Sequence, residues 1–231
     1  MRKLALALVV LIAVATKAQT NLQVHYDFGK DRSYVTTTLE MFKPDKWGNT
    51  FFFVDLDYNM TDDKHPSAAY FEIARCFSFK DSPLSLQVEY NGGLGTFPVV
   101  STQMAFPINN AYLLGVDYGF HNADFSKTLN LKVLYKYIQG SVQKNSFQLT
   151  GVWGLNFLKN KMTFSGFADL WMEKTTFLSG ETKDFVFITE PQLWYNFSEH
   201  LSAGTEVEVA SNFAGVEGFK VCPTLAVKWN F

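Results

Sequence analysis

The residues of this chain that could do chemistry are aromatic rings and carboxylates set two apart. The segment Phe51-Phe52-Phe53-Val54-Asp55-Leu56-Asp57-Tyr58 puts Phe51, Phe53, Asp55 and Asp57 on one face of an extended strand, and Phe52, Val54, Leu56 and Tyr58 on the other. The spacing recurs in Phe167, Asp169, Trp171 and Glu173, in Glu190, Gln192 and Trp194, and in Glu206 and Glu208, while Glu72 adds a further acid. Flat rings beside carboxylates form a wall on which a ring-bearing solute can stack while its hydroxyl or amino groups donate to the acids. Each base-on-ring stack is worth ~1–3 kcal/mol. Contacts that weak suit transit better than retention. A catalytic centre is less well furnished. Of the four histidines, His65 and His200 sit at turns, and neither His25 nor His121 has a serine at the alternate strand position. A Ser–His enzyme would need a remote partner, no Cys/His spacing resembles a zinc site, and no cofactor is expected.

The elements that must hold such a wall are strands. The chain has 231 residues, of which 47% are hydrophobic, 16% aromatic and 18% charged, so it is well supplied for a folded domain and unlike a disordered one. A formal net charge of -2 without a basic block argues against a nucleic-acid surface. Beyond residue 19 no run of 18 apolar residues occurs, and helical periodicity is missing. Instead, segments of roughly ten residues rich in Phe, Tyr, Val and Thr alternate in polarity and end at Gly, Asn, Asp, Lys or Pro. Twelve strands are predicted, near 22–28, 34–43, 49–60, 68–80, 83–91, 110–121, 129–139, 145–157, 161–173, 183–197, 200–211 and 220–231. Residues 92–109 read as the longest loop. Pro191, which cannot donate to a ladder, reads as a bulge in the tenth strand.

Arg2 and Lys3 precede an apolar run from Leu4 to Val14, followed by small residues at Thr16 and Ala18. This pattern predicts a signal peptide over 1–18 and leaves 19–231 as one exported domain. Two thiols, Cys76 and Cys222, are no disulfide framework; they read either as buried or lumen-lining thiols or as a single bridge. In the last strand Val221, Leu225, Val227, Trp229 and Phe231 share one face, against Lys220, Cys222, Thr224, Ala226, Lys228 and Asn230. Leu84, Leu86, Val88 and Tyr90 oppose Ser85, Gln87 and Glu89, and Leu129, Leu131, Val133, Tyr135 and Tyr137 oppose Asn130, Lys132 and Lys136. A soluble sandwich would also alternate. The chain's end chooses between them, because an exported strand closing on Phe231 resembles the signature that the barrel-assembly machinery reads in outer-membrane barrels. In lipid an open sheet would strand backbone groups at several kcal/mol each. The fold class expected is therefore all-β, a closed antiparallel transmembrane β-barrel of about 12 strands in the outer membrane of a Gram-negative bacterium. Arg or Lys facing lipid at the midplane would cost ~2–4 kcal/mol and acids somewhat less, which sends Lys132, Lys136, Lys228 and the acids inward.

Eight short segments carry a resemblance across nearly the whole exported region. FFFVD at 51–55, YFEIARCFSF at 70–79, YLLGVDYGF at 112–120, LTGVWGLNF at 149–157, FSGFADLW at 164–171, PQLWYNF at 191–197, GTEVEV at 204–209 and VKWNF at 227–231 occur in the order found in nucleoside-specific channel-forming proteins of the Tsx type. The resemblance implies a twelve-stranded outer-membrane barrel with a narrow pore that passes nucleosides by diffusion. It also implies that Phe28, in Tyr26-Asp27-Phe28-Gly29, is the counterpart of the family's lumen phenylalanine, and that Glu72 and Glu206 match its acidic positions. A departure stands at Arg75-Cys76, where the family has Pro-Arg. The partners expected are outer-membrane lipid, the assembly machinery and small solutes. The alternatives are a closed structural or adhesion barrel and a barrel enzyme.

Overall fold

The computed structural model describes residues 19–30, 32–59, 65–99 and 102–231; the expected signal peptide lies outside them. Among the described residues thirteen strands are formed: β1 (Gln19–Asp27), β2 (Tyr34–Asp45), β3 (Gly48–Tyr58), β4 (Pro66–Ser78), β5 (Leu84–Val99), β6 (Thr102–His121), β7 (Lys127–Ile138), β8 (Asn145–Phe157), β9 (Met162–Thr176), β10 (Thr182–Thr189), β11 (Gln192–Asn196), β12 (Leu201–Ser211) and β13 (Phe219–Asn230). All pairings are antiparallel, and β1 pairs with β13 from Asn21↔Asn230 to Asp27↔Thr224, so the sheet closes on itself. β10 and β11 are halves of one stave, since each lies between β9 and β12. The barrel thus has twelve staves, the tenth interrupted at Glu190-Pro191, where the sequence placed a bulge.

Two expectations about the connections are corrected. Residues 92–109 are not a loop. β5 and β6 run on as a ladder from Gly93↔Ile108 to Val99↔Thr102, past a register shift between Asn91 and Gly93. β6 pairs with β7 only from Ala111 to His121, so Pro107 keeps its missing N–H away from any β7 partner. Strands β4 and β5 are joined by residues 79–83 rather than by Asp81-Ser82 alone.

The two faces of the wall differ in burial as the alternation predicts. On β1, Asn21, Gln23, His25 and Asp27 are buried while Leu22, Val24 and Tyr26 are exposed. The outer apolar residues of β5, β7 and β13 named above are likewise exposed, apart from the half-buried Tyr90 and Tyr137, which is the arrangement of a lipid-facing band. Aromatic rings mark this band. Phe52, Phe71, Tyr90, Tyr112 and Tyr137 form an oblique chain across five strands, with centroids 5.4–6.4 Å apart. At the end of the barrel that holds the β6–β7 turn stand Tyr118 with Phe120, Tyr195 with Phe197, and Trp229 stacked on His200. Tyr112 and Phe120 are about 26 Å apart along β6, roughly 20 Å of height once the strand tilts by ~40°, close to the ~25 Å apolar band of outer-membrane barrels.

The broken stave depends on a glycine. Gly166 has φ +152°, and a Cβ there would lie 2.5 Å from the Glu190 carbonyl oxygen and 2.9 Å from Pro191 Cα. Gly166→Ala is expected to destabilise the barrel by more than ~1 kcal/mol, because it adds a clash to a backbone conformation that side chains rarely adopt. Urea unfolding in detergent or lipid would measure it, and unchanged stability would show that the break relaxes freely.

Candidate functional site

The interior wall is organised first by threonine–carboxylate pairs across neighbouring strands. Thr36 donates to Asp57 at 2.6 Å, Thr38 to Asp55 at 2.5 Å and Thr150 to Asp169 at 2.5 Å, each between residues in register. Alternation brings these side chains to the same face, and the register sets them opposite each other. Each acid keeps acceptor capacity for a further donor. Glu72 accepts from the Tyr70 hydroxyl at 2.6 Å, and Glu206 accepts from Gln192 at 2.5 Å.

Three zones follow. The first is a polar cavity of about 120 Å³, with space for on the order of ten waters. Among the residues expected in the lumen, Asp57, Glu190, Glu206 and Glu208 meet there. They are joined by His25, weighed above only as a catalytic histidine, and by Asp27, Arg32 and Tyr34, none of which is expected in the lumen from the sequence. His25 Nδ1 is 3.1 Å from Thr224 Oγ1 and 3.8 Å from Glu206, and its Nε2 is 2.9 Å from Gln23 Oε1. Arg32 donates to Asp27 at 2.9 Å and to both oxygens of Glu208 at 2.8 and 3.0 Å. The parity of β1 would have disclosed His25 and Asp27, whereas Arg32 sits in the loop 28–33, where alternation says nothing.

The second zone is the aromatic wall beside Asp55 and Glu72. Phe51 and Phe53 are 6.1 Å apart and Phe53 and Tyr70 are 6.0 Å apart, all tilted by about 52°, so the rings form a shallow run along β3 and β4. The third zone is apolar. Leu113, Leu134, Ile138, Trp171, Val186 and Ile188 are buried together inside the barrel, with Phe167 and Phe213 packed against them. Phe213 reaches in from the loop 212–218 and meets Trp171 edge-on at 6.2 Å.

The inward tryptophans are already occupied. The Lys136 ammonium lies 3.8 Å from the Trp171 ring centre and donates to Gln148 at 2.8 Å; Trp171 Nε1 donates to Glu173. Lys228 covers Trp194 at 3.9 Å, and His25 abuts it edge-on at 6.0 Å. Both rings face inward as predicted, yet they serve the wall's own packing rather than offering a bare face. Phe28 is placed otherwise than expected. It continues the outer alternation of Leu22, Val24 and Tyr26, is 48% exposed and does not line the cavity. The inward residue of that motif is Asp27. Cys76 and Cys222 are free, buried thiols, so the single bridge is not made. No group of His, Cys, Asp and Glu among the described residues is arranged to hold a metal ion.

In structure the barrel is similar to the NanC porin, at 9% identity and a TM-score of 0.57 over 92% of this chain and 100% of that one. It also aligns with a loop-deletion form of the outer membrane protein OmpT of Vibrio cholerae (9% identity, TM-score 0.46, covering 93% and 98%) and with the outer membrane channel DcaP of Acinetobacter baumannii (8%, 0.44, covering 93% and 96%). At such identities the likeness to the NanC porin is one of fold, that of an outer-membrane β-barrel. No curated protein matches the chain in sequence. A family model described as "Domain of unknown function (DUF5020)" matches residues 18–231. The chain belongs to the DUF5020 family, and its fold is a closed twelve-stave barrel of the outer-membrane porin type.

Proposed function

We propose that the protein is an outer-membrane channel for passive diffusion of small neutral or cationic ring-bearing solutes, with nucleosides as the first candidates. The observation that carries this reading is the inward run of Phe51, Phe53 and Tyr70 beside Asp55 and Glu72, next to a polar cavity of about 120 Å³ rich in carboxylates. A base can stack on the rings while sugar hydroxyls donate to the acids, and neither contact is strong enough to trap it. The Tsx-like motif order supports the same solute class. On this reading residues 1–18 direct export, Phe231 is offered to the assembly machinery, and the outer apolar band meets outer-membrane lipid.

Liposome swelling with nucleosides, free bases, sugars and amino acids tests the proposal. Nucleosides should enter faster than sugars and amino acids of similar size; swelling no greater than in protein-free vesicles would refute it. At residue level, Phe53→Ala should weaken nucleoside block of the conductance, by up to the ~1–3 kcal/mol of one stack. Phe28→Ala, outside the cavity, should leave the block unchanged, and the reverse pattern would move the path to β1.

A second reading, a closed structural or adhesion barrel, is favoured by the apolar cluster that fills part of the lumen under Phe213. Absence of swelling together with correct folding would support it.

A further inference from the structure

A second, smaller hollow of about 10 Å³ lies beneath the loop 212–218, bordered by Phe213, Val216 and Lys220. The polar cavity and this hollow share just two lining residues, Arg32 and Glu208. The pair is therefore the wall between the space under the loop and the acid-rich interior. Resting on the channel reading above, we infer that the Arg32–Glu208 pair is the selectivity partition of the permeation path, the point at which the sign and size of a solute are read.

The local chain builds this partition. Asp27 Oδ1 accepts the Gly29 N–H at 2.7 Å, and the Arg32 N–H donates to the Gly29 carbonyl at 3.0 Å, which turns the loop back over the lumen. Asp27 Oδ2 and Glu208 then hold the guanidinium from two sides, and its carbon lies 5.9 Å from the Tyr34 ring centre. The two-pronged grip on Glu208 is one that a lysine cannot reproduce. Around it in the cavity stand Asp57, Glu190 and Glu206, all carboxylates, and Arg32 is the arginine that tempers this acidic lining. A solute passing here meets a donor fork and an acceptor side by side. Neutral molecules with adjacent donor and acceptor groups can exchange contacts with both, whereas anions face the surrounding acids.

Planar-bilayer recording of the full-length wild type, Arg32→Ala, Arg32→Lys and Glu208→Gln in a salt gradient tests this. Arg32→Ala should enlarge the single-channel conductance and shift the reversal potential toward stronger cation preference. Glu208→Gln should shift it the opposite way, and Arg32→Lys should keep the charge balance while increasing conductance through loss of the fork. Slower migration after heating in detergent confirms which proteins are folded, and with two sites varied one of them suffices to decide. If Arg32→Ala and Glu208→Gln keep wild-type conductance and reversal potential while nucleoside block persists, the partition is wrong and the channel reading stands. If folded wild type and variants are all silent, both fall.

Discussion

Leu131→Arg is expected to destabilise the barrel by ~2–4 kcal/mol, whereas Asn130→Arg, one residue away, should be tolerated. Leu131 lies near the middle of β7 on the outer face and is 50% exposed, so its substitute would put a guanidinium into hydrocarbon at the depth where that costs most. Asn130 points inward and donates to Asp117 at 2.8 Å, with Lys132 4.0 Å from the same carboxylate. A cation at 130 therefore finds an acid and water instead of lipid. Urea unfolding in lipid vesicles separates the two sides of the wall. Equal costs at both positions would mean that the outer face is not in a membrane.

Trp194→Ala is expected to cost ~3–5 kcal/mol, the range for truncating a fully buried aromatic residue. Trp194 is 0% exposed, and its surroundings are built for it. Lys228 lies over one face at 3.9 Å, His25 meets its edge, and Nε1 donates to Gln192 at 2.9 Å, which itself donates to Glu206. Across the register, Gly204 leaves the space the ring needs: a Cβ there would lie 2.3 Å from the Leu193 carbonyl oxygen and 2.7 Å from Trp194 Cε3. Gly204→Val should accordingly destabilise in the same direction. Trp194→Phe should cost less than Trp194→Ala, since it retains most of the buried area and loses the Nε1 donor. If Trp194→Ala were neutral, the ring would be a passive lumen filler and the Gln192–Glu206 connection would owe it nothing.

What the sequence discloses about this molecule is what period two discloses. Phe51, Phe53, Asp55 and Asp57, and likewise Phe167, Asp169 and Trp171, face inward because the cost of a charge in lipid depends only on which side of the pleat it occupies. The interruption at Pro191 was legible for a similar reason, since a residue without an N–H must break a ladder paired on both sides. The continuation of β5 and β6 was hidden by Gly92, Gly93, Gly95 and Pro107, a loop-like composition that hydrogen bonds across a hairpin override. Parity also cannot say whether an inward ring is bare: Trp171 and Trp194 are covered by Lys136 and Lys228, which lie on other strands. Arg32 was out of reach altogether, being a loop residue whose partner Glu208 is 176 positions away. The motif resemblance implies an inward Phe28, and the alternation of β1 places it on the opposite side.

The claim on which the functional account rests is that solute crosses the interior of this barrel. Single-channel recording of the purified wild type in a planar bilayer, with and without added nucleoside, tests it most directly. Discrete conductance steps that diminish as nucleoside is added are the expected result; a folded protein that gives no steps, or steps that nucleoside reduces no more than a sugar of similar size does, would contradict it.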